Sequence, residues 1–196
     1  IVECSMKEKS GIELSSLAGA VLLDSTKVSL PRMTLTTPDS NVEMECDMDL
    51  NAFDVKNPGK VYLRFFAEIG KQDVMRFAGD MPQQFIMRYP NHPISVRLSL
   101  NGNMNHARIS AFDVSLPTAF KLNAEGYAVN PTDIKRMKAE MRLRGTTYNI
   151  GFLTALAPMP SNIRIPSGIS LAAHLKADRQ VYSANMRIAE GRGTVT

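Results

Sequence analysis

The sequence predicts a mainly β protein: an extended antiparallel sheet, curved or folded, with a few short helices. Three observations predict it. Apolar and polar residues alternate with period two over most of the chain. Turn-forming residues fall between the alternating runs. Segments recur at offsets that suggest stacked repeats.

The runs follow in order. Val2, Cys4 and Met6 alternate with polar residues at the start. Val42, Met44, Cys46, Met48 and Leu50 alternate with Glu43, Glu45, Asp47 and Asp49. Val61, Leu63, Phe65, Ala67 and Ile69 form the next run. Ile94, Val96, Leu98 and Leu100 alternate with Ser95, Arg97 and Ser99. Phe112, Val114 and Leu116 lead to Phe120, Leu122 and Ala124. Met137, Ala139, Met141 and Leu143 precede Ile169, Leu171, Ala173 and Leu175. Tyr182, Ala184, Met186 and Ile188 end the series. Successive strand side chains point to opposite faces, so each run has one apolar and one polar face. Parallel strands, buried on both faces, would read as continuous apolar runs instead.

Turn signals separate these runs at Lys9-Ser10-Gly11, Pro38-Asp39-Ser40, Asn57-Pro58-Gly59, Asn101-Gly102-Asn103 and Asn130-Pro131-Thr132-Asp133. Two regions change period. Asp73 to Met81 carries Val74, Phe77, Ala78 and Met81 at helical spacing, with Asp73 placed as an N-cap. Pro82 suits a first helical position, and Phe85, Ile86 and Tyr89 form an apolar face ending before Pro90. Asn149 to Leu156 is a similar short segment with Phe152, Leu153 and Leu156.

The repeat shows as matched positions. Phe77 and Phe152, Ile94 and Ile169, Val96 and Leu171, Leu98 and Ala173, and Leu100 and Leu175 each differ by 75. Val28-Ser29-Leu30-Pro31 recurs as Val114-Ser115-Leu116-Pro117, and Leu17-x-Gly19 as Leu100-x-Gly102. A unit of roughly 75–85 residues is expected, a little over twice. The chain begins without an initiator Met and stops in a strand pattern at Gly193-Thr194-Val195-Thr196. Residues 1–196 therefore read as one fragment of a longer repetitive protein.

Composition excludes several classes. The 196 residues are 44% apolar and 21% charged, with a net charge of +4, which does not fit a disordered chain. No run of about 18 apolar residues spans a membrane as a helix. Lys and Arg form no dense block with interleaved aromatics, so no nucleic-acid partner is expected. Cys4 and Cys46 lie in the apolar phase of their strands and read as small core residues.

No catalytic or cofactor motif is present, and neither an enzyme nor a cofactor is expected. His92 and His106 sit at turns, and His174 sits on a polar strand face. Glu43, Glu45, Asp47 and Asp49 share one strand face. Ca²⁺ needs oxygens converging from a curved loop, and a straight strand spreads them, so no metal is expected. A wet face balanced by Lys60 or Arg64 is the reading instead.

The apolar stripe carries Met6, Met33, Met44, Met48, Met137, Met141 and Met186 with Ala67, Ala124, Ala139, Ala173 and Ala184, among 12 Met and no Trp in all. Two readings stand: a closed sandwich core, or a surface for variable apolar ligands, which flexible Met suits.

Asp49-Leu50-Asn51-Ala52-Phe53-Asp54, Gly70-Lys71-Gln72-Asp73-Val74-Met75-Arg76-Phe77 and Phe152-Leu153-Thr154-Ala155-Leu156 carry a family likeness. So do Arg164-Ile165-Pro166-Ser167-Gly168 and Arg187-Ile188-Ala189-Glu190-Gly191-Arg192-Gly193. Together they resemble the large AsmA-like family of Bacteroidetes, of the TamB (translocation and assembly module) type, over nearly the whole chain. The resemblance implies a repetitive β-groove, taco- or half-pipe-shaped, in the periplasm, belonging to a protein anchored in the inner membrane outside this segment. It implies phospholipid acyl chains as the partner and lipid passage to the outer membrane. It also implies outer-membrane protein assembly with a barrel partner that docks outside this segment. The expected groove lining is Val42, Met44, Met48, Val61, Leu63, Phe65, Val96, Leu98, Val114, Leu122, Met141, Leu143, Leu171, Leu175 and Met186. The alternative is a protein-binding scaffold for outer-membrane protein assembly. The short helices are expected across a groove mouth or plugging one end.

Overall fold

A computed structural model describes residues 4–7, 13–54, 56–131, 133–156, 168–190 and 193–195, with only the backbone described at 4–7 and 193–195. The chain is mainly β. Among the described residues, thirteen strands form one open antiparallel sheet. They are β1 (Cys4–Lys7), β2 (Glu13–Gly19), β3 (Leu22–Leu23), β4 (Lys27–Thr36), β5 (Asn41–Asp49), β6 (Val61–Ile69) and β7 (Ile94–Gly102). After these come β8 (His106–Leu116), β9 (Phe120–Val129), β10 (Lys138–Thr147), β11 (Ser170–Asp178), β12 (Val181–Glu190) and β13 (Gly193–Val195). Each strand pairs with the next in sequence, except that β3 is a side branch on β4 and β2 pairs with β4 directly. The sheet is thus a long meander, as the alternation predicts. The expected repeat is not visible in it. Phe77 is 70% exposed whereas its counterpart Phe152 is buried, and Pro31 lies inside β4 whereas Pro117 lies in a turn.

Two bulges keep the apolar residues in phase. In β4 the apolar positions are Val28 and Leu30, then Met33 and Leu35. In β8 they are Ala107 and Ile109, then Phe112, Val114 and Leu116. Each strand changes parity once, and each has a register shift at that point, between Leu30 and Met33 and between Ile109 and Phe112. The extra residue returns the side chains to the same face, which a one-residue slip would otherwise invert. Pro31 sits at the first bulge, where a missing N–H costs the ladder little.

Helices occupy one rim. α1 (Lys71–Phe77) and α2 (Gln83–Arg88) connect β6 to β7, and a 3-10 helix (Gly151–Ala155) follows β10. Phe85 of α2 and Tyr89, its C-cap, meet Phe152 of the 3-10 helix in a triangle of rings with centroids 5.3–5.6 Å apart. Leu116 and Ala119, from the β8–β9 turn, complete the cluster, with Ile94 and Phe120 packed against it. Phe85, Tyr89, Leu116 and Phe152 are the large buried apolar side chains among the described residues. Of the expected helical faces, Phe85, Tyr89 and Phe152 are buried, but Ile86, Leu153 and Leu156 are exposed.

Asp73 is not the N-cap of α1. Gly70 holds that position, and Asp73 is the third residue of the helix, within its first turn. Its carboxylate is instead the socket for the β4–β5 turn. It accepts hydrogen bonds from Thr37 Oγ1, from Ser40 Oγ at 2.6 Å and from Arg76 Nη1 at 2.8 Å. Asp39 completes the joint by accepting from the Gln72 N–H at 2.8 Å. Gly70 is required there, because a Cβ at that position would lie 2.1 Å from Asp39 Oδ2. Burial alone would raise the Asp73 pKa, but the bonds from Ser40, Thr37 and Arg76 outweigh it and hold the group below its ordinary 3.8.

The turns match most of the expected signals. The β7–β8 hairpin turns one step later than expected, at Asn103–Asn105, because β7 runs through Gly102. The Lys9-Ser10-Gly11 signal and Arg164 to Ser167 lie outside the described residues. One tight hairpin has no turn-forming residue: Arg179 and Gln180 join β11 to β12 with φ of 50° and 53°. Two successive positive φ values define a type I′ turn, which favours Asn-Gly.

Three outcomes are expected. Replacing Arg179-Gln180 by Asn-Gly should stabilise the protein by about 1 kcal/mol, read as a raised Tm. Asp73→Ala should destabilise it by about 2 kcal/mol, since three donors lose a buried acceptor. For the depressed Asp73 carboxyl, stability is complete above the ordinary carboxylate pKa and falls as pH drops through the lower folded value. Hydrogen exchange of α1 should therefore accelerate in wild type below about pH 4 and show no such step in Asp73→Asn.

Candidate functional site

The ladder register sorts the apolar side chains into four rows, each crossing the nine strands β4 to β12. The row nearest the helical rim is Leu35–Val42–Ala67–Val96–Val114–Leu122–Gly145–Leu171–Ile188. The second is Met33–Met44–Phe65–Leu98–Phe112–Ala124–Leu143–Ala173–Met186. The third is Leu30–Cys46–Leu63–Leu100–Ile109–Gly126–Met141–Leu175–Ala184. The fourth is Val28–Met48–Val61–Gly102–Ala107–Ala128–Ala139–Ala177–Tyr182. No charged residue interrupts any row. All fifteen residues expected to line a groove fall within them.

Rows repeat every two residues, about 6.8 Å, and strands every 4.8 Å or so, which gives a face of roughly 780 Å². Among the described residues no second layer covers it. Among the described residues, Ala67, Leu116 and Ala124 are the buried apolar side chains of the sheet, and the remaining row residues keep partial or full exposure. Exposure increases toward β12, where Met186 is 48% and Tyr182 65% exposed. The closed-sandwich reading is therefore set aside. At the first row the helical rim folds over the face, since Ile94, Leu116 and Phe120 extend the sheet's apolar side into the aromatic cluster. Met137 precedes β10, and the side chain of Met6 lies outside what the structure describes.

The opposite face is polar. The acidic ladder of β5 is balanced there, strand by strand. Glu43 pairs with Arg32 at 3.4 Å and Glu45 with Arg64 at 3.2 Å. Asp47 accepts from Ser29 Oγ, and Asp49 accepts from the backbone N–H of Lys60 at 2.7 Å. Arg64 plays its expected part, whereas Lys60 contributes its amide and not its ammonium. No group of three or more His, Cys, Asp or Glu among the described residues is placed to hold a metal ion.

His174 does more than expected of a solvated residue. Its Nε2 lies 2.6 Å from Glu140 Oε1, and Tyr127 donates its hydroxyl to Glu140 Oε2 at 3.3 Å. The register explains why this escaped the sequence: Glu140 faces Lys176, and His174 is its diagonal neighbour, a relation single-strand periodicity does not contain. The His174 hydrogen bond is the main reason the Glu140 carboxyl lies below its usual range. Cys46 is a free thiol in the third row, and burial, then the charge of Asp47, push its pKa up.

No family model, no curated protein and no solved structure matches this chain.

Because each carboxylate of the ladder already has a partner and the four are spread along one straight strand, millimolar Ca²⁺ should leave the Tm unchanged. Glu45→Gln should change stability by less than about 0.5 kcal/mol, as exposed pairs contribute little. A calcium-dependent rise in Tm that Glu45→Gln abolishes would restore the cation reading.

Proposed function

We propose that this chain is a segment of a hydrophobic conduit that carries phospholipid acyl chains between membranes. One observation carries the proposal: four unbroken apolar rows on an open sheet. Soluble monomers rarely leave more than a few hundred Å² of contiguous apolar surface uncovered. The rows span a face of roughly 780 Å², most of whose side chains keep partial or full exposure, and acyl chains are a cover of matching chemistry. Burial at about 25 cal/mol per Å² attracts hydrocarbon without regard to its length or saturation, which suits passage better than selection. Met33, Met44, Met48, Met141 and Met186 in the lining add side chains that repack around a moving ligand. The resemblance to the AsmA-like, TamB-type family supports a periplasmic setting and a role in outer-membrane biogenesis, with the anchor and the barrel-docking part elsewhere in the protein.

A second reading uses the same apolar face: extended segments with one apolar side, as unfolded outer-membrane proteins have, would lie on the rows as acyl chains do, and the segment would then serve as a protein-binding scaffold.

If lipid is the cargo, the purified protein should release phospholipid on denaturation. Leu98→Arg and Met141→Arg should reduce bound lipid at least tenfold while circular dichroism retains the β signature. Crosslinkers placed at those two positions should recover lipid; recovery of unfolded barrel proteins would favour the scaffold. Lipid-free protein with unaltered function in both Arg variants would refute the conduit.

A further inference from the structure

The polar face carries hollows between its long side chains, and one of them differs in charge from the rest. The hollow over β8, β9 and β10, of about 400 Å³, is lined by Arg108 and Arg142 together with Glu125 and Glu140, so it neutralises itself. The hollow over β10, β11 and β12 is larger, about 660 Å³. Its polar-face lining is Arg142, Arg144, Ala172, His174, Asn185 and Arg187, and no carboxylate belongs to it.

The register gives its construction. Arg144, Ala172 and Arg187 are directly opposite one another on the three strands, and Arg142, His174 and Asn185 form the next polar row. Leu143, Ala173, Ala184 and Met186, which alternate with these polar residues along the strands, complete the lining. Arg144 and Arg187 stand two strand spacings apart, about 9.6 Å, with only the methyl group of Ala172 between them. Side chains as long as arginine's can therefore lean over Ala172 toward a common point. Among the described residues neither Arg144 nor Arg187 has an ion-pair partner, whereas Arg32, Arg64, Arg76 and Arg136 each do. The nearby acids are otherwise placed. Glu140 is bonded to His174, Glu125 faces Arg142 from β9, and Asp113 accepts from Asn123; Glu125 and Asp113 share a separate hollow with Arg142 and Arg144, on the far side of β10 from the notch. Like charges at this spacing repel, and an anion between them removes that repulsion.

We infer that the Arg144–Ala172–Arg187 notch, flanked by Arg142 and Asn185, is a binding site for a phosphate-bearing anion. Guanidinium groups match phosphate oxygens with paired N–H donors, and the Asn185 amide adds a neutral donor in the next row. The site is on the face opposite the apolar rows, so it stands independently of the lipid reading.

The experiment is a calorimetric titration of the folded protein with inorganic phosphate at low ionic strength. A parallel sedimentation assay uses phosphatidylcholine vesicles with and without phosphatidylglycerol. Arg144→Gln and Arg187→Gln should each weaken binding about tenfold, the loss of one charge-assisted contact. Ala172→Leu, which fills the notch without removing charge, should abolish it. Arg97→Gln, on the same face but on β7, should leave it unchanged. Binding of both probes means that the phosphate group suffices; binding of the phosphatidylglycerol vesicles alone identifies a lipid headgroup. The proposal is overturned if neither probe binds. It is equally overturned if Arg97→Gln weakens binding as much as Arg144→Gln does, or if Ala172→Leu binds as wild type.

Discussion

Everything in this protein depends on keeping one parity across an antiparallel ladder. A sheet with a single covered rim has no second layer to correct an error. If any strand slipped by one residue, its charges would enter the apolar face and its leucines would face water. The two bulges, at Pro31–Arg32 and Ser110–Ala111, are where that constraint is met. Without them the apolar residues at one end of β4 and of β8 would point the wrong way. The four rows exist because these two irregularities occur where the sequence changes phase.

Much of this was legible from the sequence because period two is a local property. The strands, their apolar side and most turns follow from it directly, and all fifteen expected lining residues share one face. What was missed involves relations between segments. The role of Asp73 depends on a turn more than thirty residues earlier, at Thr37 and Ser40. Its position before an apolar helical pattern looked like a cap, and only the docked turn shows otherwise. The Arg179–Gln180 hairpin carries no Gly or Asn, so the ladder on both sides imposes the positive φ values that its residues do not favour. Glu140 and His174 meet diagonally across two strands, which no single-strand pattern encodes.

The two faces divide the physical work. The apolar face offers area without direction, and the polar face offers charge with geometry. On β5 two of the four carboxylates are ion-paired and the other two accept from neutral donors, while the hollow over β10 to β12 gathers arginines around a small residue with no carboxylate in its lining. Because successive side chains alternate, a single strand such as β10 serves both faces at once, with Met141 and Leu143 on one and Arg142 and Arg144 on the other.

The aromatic triangle of Phe85, Tyr89 and Phe152 has a consequence for how the molecule holds together as a unit. Almost every other contact in the sheet joins strands adjacent in the chain, and a ladder of such contacts can open from either end one hairpin at a time. The triangle joins a helix that follows β6 to one that follows β10, bridging some 67 residues between Phe85 and Phe152. It ties β6 through β10 into one cooperative block, and the Asp73 socket fastens the β4–β5 turn to the same block.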